Sequence, residues 1–115
     1  MESILTSIKK MLGIIEDYTH FDEDLIIHIN SVILILTQIG VGPSEGFRIE
    51  DKNAVWNDFL LSKTAQLEFV KTFMYLKVKL LFDPPLSSTV IESIKQSLSE
   101  LEWRIVIAAE PKSDT

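Results

Sequence analysis

The sequence predicts an all-α protein, a small helical bundle with a long antiparallel helical hairpin and a long glycine-rich loop. Two observations support this fold class. Apolar residues recur at three- and four-residue spacing in four segments, which is the pattern of helices that bury one face. Residues that begin or stop helices, chiefly serine, aspartate, glycine and proline, bound these segments. We therefore expect helices near residues 2–12, 22–39, 64–82 and 87–109.

The first predicted helix is short. Ser3 is placed to cap its start and Gly13 to end it. Its apolar residues follow helical spacing and are Ile4, Leu5, Ile8, Met11 and Leu12. A helix of about three turns is marginal in isolation, so it must dock on something.

The second predicted helix starts at an acidic cluster. Asp22 is a good N-cap, with Phe21 and Ile26 placed for a hydrophobic staple. The acids nearby are Glu16, Asp17, Asp22, Glu23 and Asp24. We interpret them as capping and dipole compensation; the alternative is a metal site, although the spacing of a calcium loop is missing. The β-branched run at 32–35 would suit a strand, but length and caps favour a helix.

The predicted helix 64–82 is the centre of the fold. Its apolar side chains cover roughly two-thirds of the circumference, so it must touch several neighbours. They are Phe69, Val70, Phe73, Met74, Leu76, Val78, Leu80, Leu81 and Phe82. Asp83-Pro84-Pro85 then ends the helix, because proline cannot donate a backbone hydrogen bond.

The last helix returns along the central one. Thr89 and Glu92 have the spacing of a capping box. Its apolar residues repeat as two heptads, which predicts a seam against the central helix. These residues are Ile91, Ile94, Leu98, Leu101, Ile105 and Ala108.

Several side chains do not fit these seams. Ile27 and Leu34 lie seven residues apart on the outer side of the second helix, and Trp103 and Ile107 lie off the last seam. We expect them at a subunit interface, with a flap over the core as the alternative for Trp103. Lys77 interrupts the central apolar arc; it either extends its amine to water or pairs with a carboxylate of another subunit.

The segment 40–63 holds three of the four glycines and should be the loosest region. One or two helical turns within residues 53–60 would present Trp56 and Phe59. Its glycines lack the lysine of a phosphate-binding loop. We expect the segment to be mobile.

Composition excludes several classes of protein. The 115 residues suit one domain, residues 1–109, followed by a disordered tail, 110–115. Cysteine is absent, which excludes disulfides and thiolate metal sites, and the net charge of −6 argues against direct nucleic-acid binding. No signal peptide or membrane span is expected, so the chain should be soluble. We find no catalytic set, cofactor motif or metal set, and read His28 as an ordinary surface or interface residue.

Three stretches resemble the head–tail connector family of long-tailed phages. They are YLKVKLLFDPP at 75–85, SELEWR at 99–104 and IGVGP at 39–43, and the similarity spans nearly the whole chain. These are packing and turn motifs rather than chemical signatures.

This resemblance implies a structural adaptor. Such proteins form a ring, typically of twelve subunits, beneath the portal of the filled head, where they extend the DNA channel and receive a tail-side completion protein. DNA would pass without specific binding, and the protein would occur in the virion and, during assembly, in the host cytoplasm. Candidate partner-binding residues are Ile4, Ile8, Glu110 and Lys112. The alternatives are a small helical regulatory module acting as a monomer or dimer, and an enzyme with an unrecognisable site.

Overall fold

The computed structural model describes residues 2–109, apart from the side chain of Thr64. Its elements are α1 (Ile4–Leu12), α2 (Asp22–Gln38), α3 (Trp56–Leu60), a 3-10 turn (Thr64–Gln66), α4 (Leu67–Phe82) and α5 (Ser88–Ala109). Within this range the only β-type pairing is one isolated antiparallel bridge between Ser3 and Val55. The all-α prediction is confirmed.

Helix α4 lies between α2 and α5, and α1 packs against both α4 and α2. The start of α2 meets the end of α4, where the rings of Phe21 and Phe82 are 5.1 Å apart. At the other end, Gln66 Nε2 at the start of α4 donates to the carbonyl of Ala108 in α5 at 3.2 Å. Both outer helices therefore run antiparallel to α4 and in the same direction as each other.

Helix α1 belongs to the core. Ile4, Leu5 and Ile8 are fully buried, and this burial stabilises a helix too short to persist alone. Ser3 Oγ accepts from the backbone N–H of Thr6 at 3.2 Å, and Gly13 closes the helix with a φ of +83°. Both predicted caps are confirmed.

Asp22 does not cap α2. Its carboxylate instead pairs with Lys9, with 2.9 Å between Oδ1 and Nζ. Lys9 is only 2% exposed, and its ammonium also donates to the carbonyls of Glu16 and Tyr18 at 2.8 and 2.7 Å. Two carbonyls thus accept hydrogen bonds from the ammonium, and the carboxylate of Asp22 supplies its counter-charge. The capping prediction failed because a buried lysine needs a counter-charge more than the helix needs a cap.

The start of α5 also differs in detail from the sequence-based expectation. The helix starts at Ser88, and the hydroxyl of Ser87 accepts from the backbone N–H of Val90 at 3.3 Å. Ser87 therefore takes the capping role. Thr89 and Glu92 lie two residues too far along the chain to form the predicted capping box.

The glycine-rich segment is anchored rather than loose. Trp56 and Phe59 in α3 are completely buried, and Phe59 stacks on Phe47 with 5.4 Å between ring centroids. Asn30 in α2 forms two hydrogen bonds with the backbone of Ile49, donating to its carbonyl at 2.9 Å and accepting from its N–H at 2.8 Å. Large apolar side chains therefore attach this segment to the core, and its mobility stays a prediction.

Candidate interaction surface

An exposed stripe of three residues, Ile27, Ser31 and Leu34, runs along the outer side of α2; we call it the α2 stripe. Ile27 is 63% exposed and Leu34 60% exposed. Ser31 lies between them, and its hydroxyl donates to the carbonyl of Ile27 in its own helix at 3.1 Å. The stripe is therefore apolar, with a small residue at its centre whose polar group is already satisfied.

A second exposed stripe, the α5 stripe, consists of Trp103 and Ile107. Trp103 is 63% exposed and Ile107 48% exposed, so Trp103 is not a flap over the core. Beside them the guanidinium of Arg104 pairs with Glu100 at 2.9 Å on the same helix. The inward side of α5 buries Leu98 and Ile105. The α5 stripe therefore takes no part in the packing of α5 against α4.

Both stripes lie on outer helices that flank α4. The inner sides of these helices are used in the core, where α2 buries Leu25, Ile29, Val32, Ile33 and Leu36. The structure thus leaves two separate apolar surfaces uncovered, one on each outer helix. Exposed apolar residues in groups are typical of protein-binding sites.

Lys77 is half-buried in α4, and its ammonium lies 5.8 Å from the centroid of the Phe73 ring. Cation–π attraction accounts for part of its environment. Among residues 2–109 no carboxylate lies within salt-bridge distance of it. Both alternatives for Lys77, an amine extended to water and an ion pair with another subunit, therefore stay predictions.

The first-helix candidates for partner binding, Ile4 and Ile8, have no exposed surface. Their side chains form the core between α1, α2 and α4, so they are not available to a partner in this fold. The other two candidates, Glu110 and Lys112, lie outside the described residues.

The sequence did not predict an apolar groove that three segments form together. An apolar groove of about 390 Å³ lies where α1 ends, α2 begins and α4 ends; its lining residues are Leu12, Ile14, Phe21, Phe82 and Asp83. Two further rings lie near its aromatic side chains: the His20 ring is 4.9 Å from that of Phe21, and the His28 ring is 6.4 Å from that of Phe82, between centroids. Helical periodicity within single segments could not bring these residues together, because they come from three separate segments.

The polar groups at the start of α1 form hydrogen bonds with each other and with Trp56. The Ser7 hydroxyl accepts from Trp56 Nε1 at 2.9 Å and donates to either Glu2 or the carbonyl of Ser3. The Ser7 hydrogen bond lowers the pKa of Glu2, helped by Lys71 and Lys10 and opposed by desolvation. Over residues 2–109 the structure contains no group of three side chains suited to bind a metal ion.

These features define a small helical protein whose uncovered surfaces suit binding to other proteins. A family model described as Phage connector protein matches residues 4–112, nearly the whole chain. The chain therefore belongs to the phage connector protein family, which confirms the resemblance noted in the sequence. No curated protein and no solved structure matches it. Within the described part of the chain, no helix is long and apolar enough to span a membrane.

Proposed function

We propose that this protein is a head–tail connector that assembles as a ring beneath the phage portal, extends the DNA channel and joins the head to the tail. The observation that carries this proposal is the family match over residues 4–112. Members of this family are structural components of the virion that contact other head or tail proteins.

The two uncovered stripes support a ring. A ring requires each subunit to present two different surfaces, so that one surface of a copy meets the other surface of the next copy. The α2 stripe and the α5 stripe are different in composition and lie on separate helices. Among residues 2–109 Lys77 has no carboxylate partner, and a carboxylate of a neighbouring subunit would supply one. The resemblance to connectors implies about twelve copies.

The portal above and a tail-side completion protein below are the proposed partners. We assign the portal contact to the tail 110–115, including Glu110 and Lys112, because α1 is occupied in the core. A chain with net charge −6 suits a channel through which DNA passes, since repulsion prevents DNA from adhering to the wall. The protein would occur in the host cytoplasm during assembly and in the virion afterwards.

The experiment is co-sedimentation with purified portal rings of the same phage. The full chain should sediment with the portal, and deletion of residues 110–115 should reduce the bound fraction. A matched variant, Val90→Ala, removes an exposed apolar side chain on α5 and should bind like the full chain. A full chain that remains in the supernatant at every concentration would favour a regulatory module instead.

A further inference from the structure

The α2 stripe and the neighbouring Asn30 together form a socket for a single side chain. In paired helices one side chain inserts between four residues of the facing helix at positions i, i+3, i+4 and i+7. Ile27, Asn30, Ser31 and Leu34 occupy these four positions on α2. The side-chain amide of Asn30 is held by Ile49, and Ser31 is small. Ile27 and Leu34 therefore form two apolar sides of the socket, and the small Ser31 leaves space between them.

The chain also carries one side chain that fits such a socket. Of its two tryptophans, Trp56 is buried and Trp103 is exposed on α5. Large aromatic residues that protrude from a surface dominate the binding energy of many interfaces. Trp103 cannot reach the socket of its own chain, because α4 lies between α2 and α5. Between two copies of the chain, the Trp103 of one can meet the socket of the other.

We propose that Trp103 of one copy inserts between Ile27 and Leu34 of the next copy, over Ser31, with the two helices parallel. This inference rests on the proposed ring and specifies its contact. Within one chain α2 and α5 run in the same direction. Rotation about an axis along these helices preserves that direction, so the α5 of one copy meets the α2 of its neighbour in parallel.

Charge favours the parallel arrangement. When Trp103 lies opposite Ser31 in a parallel pair, the residues seven positions earlier in each helix, Gln96 and Asp24, also lie opposite each other. Lys95 is the neighbour of Gln96. The first turn of α2 carries only acidic charges, and its last turn has no basic residue. Lys95 is well exposed, and its nearest carboxylate is that of Glu92 on its own helix at 3.6 Å. Antiparallel helices would instead place Gln96 opposite Gln38 and move Lys95 away from the acidic end.

The test uses the absence of cysteine in the chain. Single variants Asp24→Cys, Gln38→Cys and Gln96→Cys all replace exposed residues. Under mild oxidation, alone and on portal rings, the mixture of Gln96→Cys with Asp24→Cys should form a disulfide-linked dimer. The mixture of Gln96→Cys with Gln38→Cys should not. A dominant dimer from the second mixture would overturn the parallel contact.

A second measurement separates this contact from the ring itself. Trp103→Ala should weaken self-association about 30-fold or more, as expected for a central aromatic contact, while Val90→Ala on the same helix should leave it unchanged. If the chain self-associates but neither Trp103→Ala nor cross-linking has the expected effect, this contact is overturned and the ring survives. If the chain is monomeric both alone and with the portal, the proposed function fails as well.

Discussion

Replacing Asn30 by alanine tests the anchoring of the glycine-rich segment. The side chain of Asn30 satisfies both the N–H and the carbonyl of Ile49, at 2.8 and 2.9 Å. Ile49 is only 1% exposed, so water cannot readily replace these bonds. Asn30→Ala would leave two backbone groups buried without partners.

The expected cost follows from these two groups. A buried polar group left without a partner costs about 1–3 kcal/mol. Partial relaxation of the segment reduces the sum, so we expect a loss of about 2–4 kcal/mol in the free energy of unfolding. Domains of this size are stable by about 5–15 kcal/mol. At about 4 °C per kcal/mol, the midpoint of thermal unfolding should fall by about 8–16 °C.

The assay is urea unfolding followed by tryptophan fluorescence, because Trp56 is buried within this segment. Ser31→Ala is the matched control, since Ser31 is the next residue of α2, is exposed and bonds only within its helix. The control should lie within about 0.5 kcal/mol of the wild type. If Asn30→Ala lies equally close to the wild type, the segment is not anchored at Ile49 and the reasoning is refuted.

Three further predictions concern stability. Gly42→Ala should lower the free energy of unfolding in urea by about 1–3 kcal/mol. Gly42 has a φ of +82°, and a Cβ there would lie 2.7 Å from Cδ1 of Phe59. An unchanged unfolding midpoint would contradict this. Lys9→Met should lower the free energy of unfolding by about 3–5 kcal/mol in the same assay, because it leaves Asp22 and two carbonyls without their partner. Lys10→Met is the control, and it should change this free energy little because Lys10 is exposed. The lowered pKa of Glu2 contributes stability that is present above its ordinary value of 4.5 and lost as pH falls through the folded value. Glu2→Gln should therefore reduce the acid dependence of the unfolding midpoint, and an identical pH profile would contradict the role of Ser7.

The sequence was informative where local signals decide the structure. Ser3 and Gly13 bound α1 as expected, and the double proline after Phe82 produces the turn into α5. The exposed positions of Ile27 and Leu34 also followed from periodicity, because a helix can bury only one side against α4. These features depend on residues within a few turns of each other.

The sequence misled where the outcome depends on distant residues. The role of Asp22 was decided by Lys9, thirteen positions earlier, and not by the start of its own helix. Segment 40–63 looked loose because of its glycines, yet Trp56, Phe59 and the contact of Asn30 with Ile49 hold it in the core. Pairings between separate segments leave no periodic signal in the sequence. The apolar groove beside Phe21 and Phe82 was missed for the same reason.

The most direct test of the account is the mass of the complex between this chain and its portal ring, measured by native mass spectrometry. If the protein is a ring-forming connector, the complex should contain one closed set of copies, about twelve, with no series of intermediate stoichiometries. Leu34→Glu should abolish the closed set, because it places a charge in the apolar wall of the proposed contact. Single copies bound independently to the portal, with the same distribution for Leu34→Glu, would contradict the ring.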